Sequence, residues 1–145
     1  MYKVQTTISF EAAHRLYGVN TYSKECRTSV HGHSYKVTIV VGREDLNDAG
    51  MVIDFKLFKK VCKVIEDRYD HSLILRDTDP LVEKFREVAP EQRLNIAHES
   101  PTAEWMAKTF YYDVFEGLLE TDPLVIVLSV SVQETENNIA TYEGV

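Results

Sequence analysis

An alternating pattern of apolar residues, preceded by two histidines, constrains this chain more than any other feature. Its apolar members are Tyr35, Val37, Ile39 and Val41. Residues two apart in a β-strand point to the same face of the sheet. A strand over residues 31–42 therefore also places His31 and His33 on one face, close enough together to bind a single metal ion.

Composition narrows the classes of protein to consider. A chain of 145 residues can bury a core and predicts one domain, residues 1–145. The net charge of −7 argues against nucleic acid as a partner, because such surfaces usually carry a basic stripe. No apolar run approaches the ~20 residues that span a bilayer, so no membrane partner is expected. Two cysteines and an N-terminus without a signal-peptide pattern favour the cytoplasm.

Periodicity predicts the secondary structure. Strands are predicted over residues 2–15, 31–42, 51–53, 124–132 and 139–142. Helices are predicted over residues 55–68, 80–88 and 101–119, with Asp54 as N-cap of the first and Ser100 as cap residue of the last. The alternation breaks at Phe10–Leu16, which predicts a bulge or bend, and residues 17–30 are predicted to form a loop.

The order of the main elements, ββααββ, predicts an α+β fold. We expect a four-stranded antiparallel sheet with two helices on one face, which leaves the other face uncovered. Residues 124–128 are apolar throughout, so this strand needs cover on both faces. Exposed sheet of this kind usually indicates association, and we therefore expect a homo-oligomer.

Three histidines are candidate metal ligands. Two neighbouring antiparallel strands could bring His14 together with His31 and His33. Three neutral imidazoles with one open position are typical of a catalytic zinc site, whereas structural zinc sites normally have four ligands. The alternative is that the His-x-His spacing arises by chance at the end of a surface strand.

A cysteine and an acid–imidazole pair are further candidates. Cys26 is either a free thiol or a base or nucleophile activated by a nearby cation, whereas Cys62 lies on the apolar stripe of a helix and is expected to be inert. Asp70 and His71 either end a helix or form a proton relay in which His71 is the general acid or base.

Two glutamates are also ambiguous. Glu134, just past a buried strand, is either an ordinary strand-end residue or a carboxylate that accepts two hydrogen bonds from a planar N–H pair. Glu104 is either favourable charge at a helix N-terminus or a ligand-binding group. His98 is expected to be a solvated loop residue.

Taken together, these residues resemble the 6-pyruvoyl-tetrahydropterin synthase / 6-carboxytetrahydropterin synthase family. The matching segments run in the family's order over nearly the whole chain, which makes the resemblance more specific than any single motif. They are Phe10–Leu16, Cys26, His31–Tyr35, Gly50–Phe55, Asp70–His71, Pro101–Glu104 and Val132–Thr135.

The resemblance implies a tunnelling fold, with two stacked trimers forming a homohexamer whose active sites lie at subunit interfaces. It implies Zn²⁺ held by His14, His31 and His33, with 7,8-dihydroneopterin triphosphate as substrate. Zinc would acidify the side-chain hydroxyls of the substrate before triphosphate is eliminated. The implied catalytic residues are Cys26, Asp70, His71 and Glu134, and the implied substrate-binding residues are Glu134, Thr102 and Glu104.

Two departures leave the product open. Four residues separate Cys26 from His31, whereas the carboxy-forming branch, which serves queuosine and related deazapurines, typically has three and the pyruvoyl-forming branch five. Glu25 also leaves the product open, because some members use a glutamate in place of the cysteine and release a different side-chain product. Residues 76–99 form a longer segment than in compact members and either reshape the pocket rim or are only surface.

We expect the 6-carboxy-5,6,7,8-tetrahydropterin product, with the pyruvoyl product or side-chain cleavage as alternatives within the enzyme class. A non-catalytic pterin- or purine-binding module on the same fold is the alternative from another class. The joint presence of Cys26, Asp70, His71 and Glu134 favours an enzyme, because a pure binding protein has no need of proton-transfer groups.

Overall fold

A computed structural model describes residues 1–144 as six strands and four helices around one sheet. The strands are β1 (Tyr2–His14), β2 (His31–Arg43), β3 (Ser72–Arg76), β4 (Leu94–Ala97), β5 (Ile126–Thr135) and β6 (Asn138–Glu143). The helices are α1 (Lys24–Thr28), α2 (Phe55–Tyr69), α3 (Leu81–Val88) and α4 (Ala103–Thr121). None of the helices in this part of the chain is long and apolar enough to cross a membrane.

Strands β1 and β2 form one uninterrupted antiparallel ladder. Its register runs without a shift from the pair Tyr2–Arg43 to the pair His14–His31. The predicted bulge after Phe10 is therefore wrong as far as His14. The alternation continues there, because Ala12 and His14 follow Phe10 into the buried face, but a small and a polar residue hide it in the sequence.

The sheet has six strands in the order β4-β3-β1-β2-β5-β6, so the predicted four-stranded antiparallel sheet is wrong in number and in direction. β3 pairs with β1, and β4 with β3, in parallel. These strands have only five and four residues. In a charged segment, an alternating pattern of this length is too short to reveal a strand. The predicted strand over residues 51–53 is absent, although Val52 and Ile53 are buried in the core.

One face of the central sheet packs on α2 and α4, as predicted, through a single apolar cluster. Asp54 caps α2 by accepting hydrogen bonds from the backbone N–H groups of Lys56 and Leu57, which satisfies donors that the helix leaves free. α4 begins later than predicted, because its N-cap is Thr102. The short α1 lies within the segment predicted as a loop.

A second, smaller cluster lies apart from this core, on the other side of β3. Leu73 and Leu75 alternate with Ile74, which belongs to the main core. Val82 of α3 packs against the two leucines. The segment 76–99 therefore folds back on the sheet instead of extending over the surface.

Candidate active site

His14, His31 and His33 converge at one end of the β1–β2 ladder. His14 and His31 lie directly opposite each other in the register, and His33 follows two residues later on the same face. The Nε2 atoms of His14 and His31 are 3.1 Å apart. Each of the three rings offers a nitrogen within 4.8 Å of the other two, so they could hold one metal ion.

Backbone carbonyls select the tautomer of two of these rings. The Nδ1–H of His14 donates to the carbonyl of Pro101 at 2.8 Å, and the Nδ1–H of His31 donates to that of Ser29 at 2.8 Å. The two facing Nε2 atoms then carry lone pairs that repel each other unless a cation lies between them. His33 adds a buried Nε2 without a hydrogen-bond partner. This donor set fits a metal ion.

Burial keeps two of these histidines, His14 and His33, in the neutral form that a metal requires. His14 is almost completely buried, and desolvation, the largest cause, lowers its pKa to about 4. Desolvation also lowers the pKa of His33, with a smaller contribution from His31. Both rings are therefore neutral at neutral pH without any metal.

The histidines line a cavity of about 520 Å³. The cavity is large enough for a drug-sized molecule. It also contains four of the other candidate residues, which are Cys26, Thr102, Glu104 and Glu134. The structure thus brings together seven of the nine residues for which the sequence predicted a role in the site.

Cys26 lies in α1 at the rim of this cavity. It is half-buried and free, and its carbonyl accepts a hydrogen bond from the N–H of Leu16 at 2.8 Å. Cys62, in contrast, is fully buried in the core as predicted, and burial raises the pKa of its thiol to about 12. Glu25 does not line this cavity, and its Oε2 accepts a hydrogen bond from Ser23.

Glu134 places a carboxylate beside the histidines. Its Oε1 is 3.8 Å from the Nε2 of His14. Burial is the main cause of its raised pKa, and the like charge of Glu104 adds to it. The cavity therefore contains two carboxylates, an arrangement that would favour a cationic or N–H-rich ligand.

Thr102 already has a structural role. Its Oγ1 accepts a hydrogen bond from the N–H of Trp105 at 3.2 Å, as expected for the N-cap of α4. Glu104 lies in the first turn of the same helix, where a negative charge is favourable.

Asp70 and His71 lie elsewhere in the chain. His71 borders a second cavity of about 360 Å³, whose lining also includes Glu11, Ser34 and His33. Glu11 lies on β1 at odd parity, opposite to His14, so its side chain projects from the other face of the sheet. Within one chain the structure does not bring this pair to Cys26.

The pair itself is well defined. The N–H of Glu11 donates to Asp70 Oδ1 at 2.9 Å, and the Nδ1 of His71 is 2.9 Å from Asp70 Oδ2. These two contacts, that of Glu11 first, lower the pKa of the Asp70 carboxyl. His71 adopts a left-handed φ of 55°, with the carboxylate on one side of its ring and solvent on the other.

Comparisons with known proteins decide the family. The family model described as 6-pyruvoyl tetrahydropterin synthase matches residues 3–145. The chain belongs to this family. A 6-carboxy-5,6,7,8-tetrahydropterin synthase of Aquifex aeolicus is 31% identical over 98% of both chains. The human 6-pyruvoyl tetrahydrobiopterin synthase is 30% identical over 98% of this chain and 91% of its own.

Solved structures agree with this membership. The 6-pyruvoyl tetrahydropterin synthase of Caenorhabditis elegans superposes with a TM-score of 0.71 at 25% identity, over 99% of this chain and 96% of its own. An uncharacterized protein from Wolinella succinogenes, 22% identical, gives a TM-score of 0.82 over 98% and 97% of the two chains and shows the shared fold. The predicted family and the prediction of an enzyme of this lyase type are confirmed.

The sequence did not reveal the carbonyls of Ser29 and Pro101, which orient the histidines of this tetrahydropterin synthase family member. Every residue carries a carbonyl, so no residue type marks them. The one signal is positional, because Pro101 precedes the N-cap of α4 and Ser29 follows α1 directly.

Proposed function

We propose that this chain is a zinc-dependent lyase that converts 7,8-dihydroneopterin triphosphate to 6-carboxy-5,6,7,8-tetrahydropterin. The observation that carries the proposal is the convergence of three histidine nitrogens in the cavity that also contains Cys26 and Glu134. Relatives from Aquifex and Rickettsia that are named for the carboxy product, at 31–33% identity, support this product. The queuosine and deazapurine pathway is the expected context.

Zinc suits the donor set better than a hard cation. Three neutral imidazoles and an open coordination position are typical of catalytic zinc, whereas Mg²⁺ and Ca²⁺ prefer oxygen ligands. His14, His31 and His33 would hold the ion. It would polarise the hydroxyls of the substrate's side chain and make their protons easier to remove.

The protein's own residues then bind the substrate and move protons. Cys26, on the cavity rim, accepts a proton from the substrate's side chain. Glu134 accepts hydrogen bonds from the N–H pair of the pterin ring, which a half-buried carboxylate does well, and also takes part in the proton relay. Thr102 and Glu104 bind the substrate at the N-terminus of α4. Elimination releases triphosphate, and water then cleaves the bond between the first and second side-chain carbons, which leaves the carboxyl group on the pterin and releases the other two carbons as acetaldehyde.

His71, supported by Asp70, completes the relay from a second copy of the chain. His71 lines a different cavity from Cys26, and a second copy of the chain would bring the two residues together. We propose a homohexamer of two trimers in which each active site forms at a subunit interface. Each chain forms one domain over residues 1–145 and works in the cytoplasm, where Cys26 stays reduced; Val145 lies outside the described residues.

The pyruvoyl product is the second candidate. It is favoured by the human relative, whose name specifies 6-pyruvoyl tetrahydrobiopterin. The four-residue spacing from Cys26 to His31 fits neither branch and leaves both products open. The last two residues of α1, Ser29 and Val30 occupy this spacing, so its length sets where the thiol lies relative to the histidines.

The deciding experiment incubates the zinc-loaded protein with 7,8-dihydroneopterin triphosphate and identifies the pterin product by mass. We expect 6-carboxytetrahydropterin from the wild type. Cys26→Ala, with its metal retained, should form product at least about 100-fold more slowly. Absence of any pterin product from fully loaded wild type would contradict the proposal, and binding of the pterin without conversion would indicate a binding module. Equal rates of product formation in both proteins would mean that Cys26 is not the proton acceptor.

A further inference from the structure

The helix that carries Cys26, α1, has few stabilising contacts among its own residues. α1 has five residues and buries none of them, and its N-cap, Ser23, makes no side-chain capping hydrogen bond. A helix of this length is not stable by itself. The position of the Cys26 thiol at the cavity rim therefore depends on contacts made outside α1.

Arg15 supplies such contacts. Its Nε and Nη2 donate to the two carboxylate oxygens of Asp79, the first at 2.7 Å. Its Nη1 donates to the carbonyl of Thr28, the last residue of α1, at 3.4 Å. The Tyr17 ring lies against the guanidinium, 5.3 Å from Cζ to the ring centroid. One side chain thus joins the end of α1 to Asp79.

Asp79 is a fixed point because the second apolar cluster anchors it. Its side chain is 0% exposed. Its Oδ1 also accepts a hydrogen bond from the N–H of Leu81, and its carbonyl accepts one from Val82. Val82 packs against the outer leucines of β3. A buried, bidentate pair of this kind resists loosening, because separation leaves a charge without a partner.

We infer that Arg15 and Asp79 are positioning residues that hold Cys26 against the histidine cavity. Residues 76–99 then support the active site and are more than surface. The link runs from the second apolar cluster through Asp79 and Arg15 to α1. The importance of this position for catalysis rests on the proposed role of Cys26, whereas the mechanical link rests on the contacts alone.

A second Arg–Asp pair provides a matched control. The Nη1 of Arg43 donates to Asp122 at 2.9 Å, and Asp122 accepts a further hydrogen bond from the N–H of Leu124, as Asp79 does from Leu81. This pair joins the end of β2 to the C-cap of α4. None of its members lines the histidine cavity.

The test compares Asp79→Asn with Asp122→Asn in the zinc-loaded protein. Iodoacetamide labelling of Cys26 is followed by peptide mass spectrometry, and buried Cys62 serves as an internal control for unfolding. We expect Cys26 to react about tenfold faster in Asp79→Asn, since one charge-assisted hydrogen bond is lost. In Asp122→Asn the rate should stay at the wild-type value. A wild-type rate in the first variant, or equal acceleration in both, overturns the inference.

The kinetic constants kcat and KM provide a second measurement, which distinguishes a positioning role from general destabilisation. With the pterin triphosphate as substrate, Asp79→Asn should lower kcat by about tenfold while KM and metal content stay near wild type. Faster labelling with an unchanged kcat would overturn the positioning role. If wild type forms no pterin product, the proposed function fails, and the labelling experiment still decides the link.

If Asp79→Asn does not fold, Asp79→Glu replaces it as the test variant. It keeps the charge and moves the carboxylate by one methylene, so the two hydrogen bonds to Arg15 cannot both keep their geometry. Cys26 should then react faster than in Asp122→Asn, and labelling at the wild-type rate would again overturn the inference.

Discussion

The three cavity histidines and His71 use the same side chain in opposite surroundings. His14, His31 and His33 lie on paired strands, and two of them donate to backbone carbonyls. His71 follows a helix, has a left-handed backbone and donates to a carboxylate. The side chain of His14 is 2% exposed and that of His71 is 83% exposed.

The difference separates two kinds of chemistry. A rigid strand ladder fixes neutral rings with their free nitrogens facing one another, which suits a metal ion. An exposed ring oriented by a carboxylate is accessible to a bound substrate, which is the geometry that a general acid or base needs. His71 and Cys26 line different cavities, and His33 belongs to the lining of both.

Removal of a strand histidine should have the largest effect. We expect His31→Ala to lower zinc affinity by more than about 100-fold, since changes beyond the direct ligands already cost 10–100-fold. Product formation should be lost with the metal. Metal titration and inductively coupled plasma analysis measure the first effect. His98→Ala, which removes an exposed histidine outside the cavity, should match wild type; retained zinc in His31→Ala would refute the ligand assignment.

Removal of His71 should abolish turnover but leave the metal in place. We expect His71→Ala to lower kcat by about 10²–10⁴-fold, the usual contribution of a general acid or base, with wild-type zinc content. A mixture with Cys26→Ala, unfolded and refolded together in equal amounts, should regain about one quarter of wild-type activity if each site draws on two chains. No regain of activity in mixed oligomers would argue against shared sites.

Loss of the carboxylate behind His71 should have a smaller effect. In Asp70→Asn the amide oxygen can still accept the hydrogen bond from Glu11, but the charge that orients the His71 ring is gone. We expect kcat to fall about tenfold, with zinc content unchanged. A decrease as large as in His71→Ala would mean that the ring does not function without the charge of Asp70.

The smallest effect is expected at Thr102, where the cavity meets a helix end. Thr102→Ala removes the cap of α4 and should lower the free energy of unfolding by about 1 kcal/mol. Thr102→Ser retains the hydroxyl and should remain close to wild type in chemical denaturation. If KM rises in Thr102→Ala beyond what Thr102→Ser shows, the hydroxyl also binds substrate; an unchanged KM would leave it a cap alone.

Much of the fold could be predicted because long elements repeat their pattern many times. α2 was predicted to within one residue, and β2 begins at His31 as predicted. β3 and β4 were missed because each has at most five residues, and a parallel pair is buried by neighbours far away in sequence. The cap of α4 was placed at Ser100 instead of Thr102 because both residue types cap helices equally well.

The sequence by itself determined the arrangement of the three cavity histidines. The parity of His31 and His33, with His14 on the paired strand, follows from the two-residue repeat of β-structure, a local rule. Only the tertiary structure decided what surrounds them. The carbonyls that orient the rings, the separation of His71 from Cys26 and the link from Asp79 through Arg15 to α1 each join segments distant in the chain, and such contacts depend on packing that no local pattern encodes.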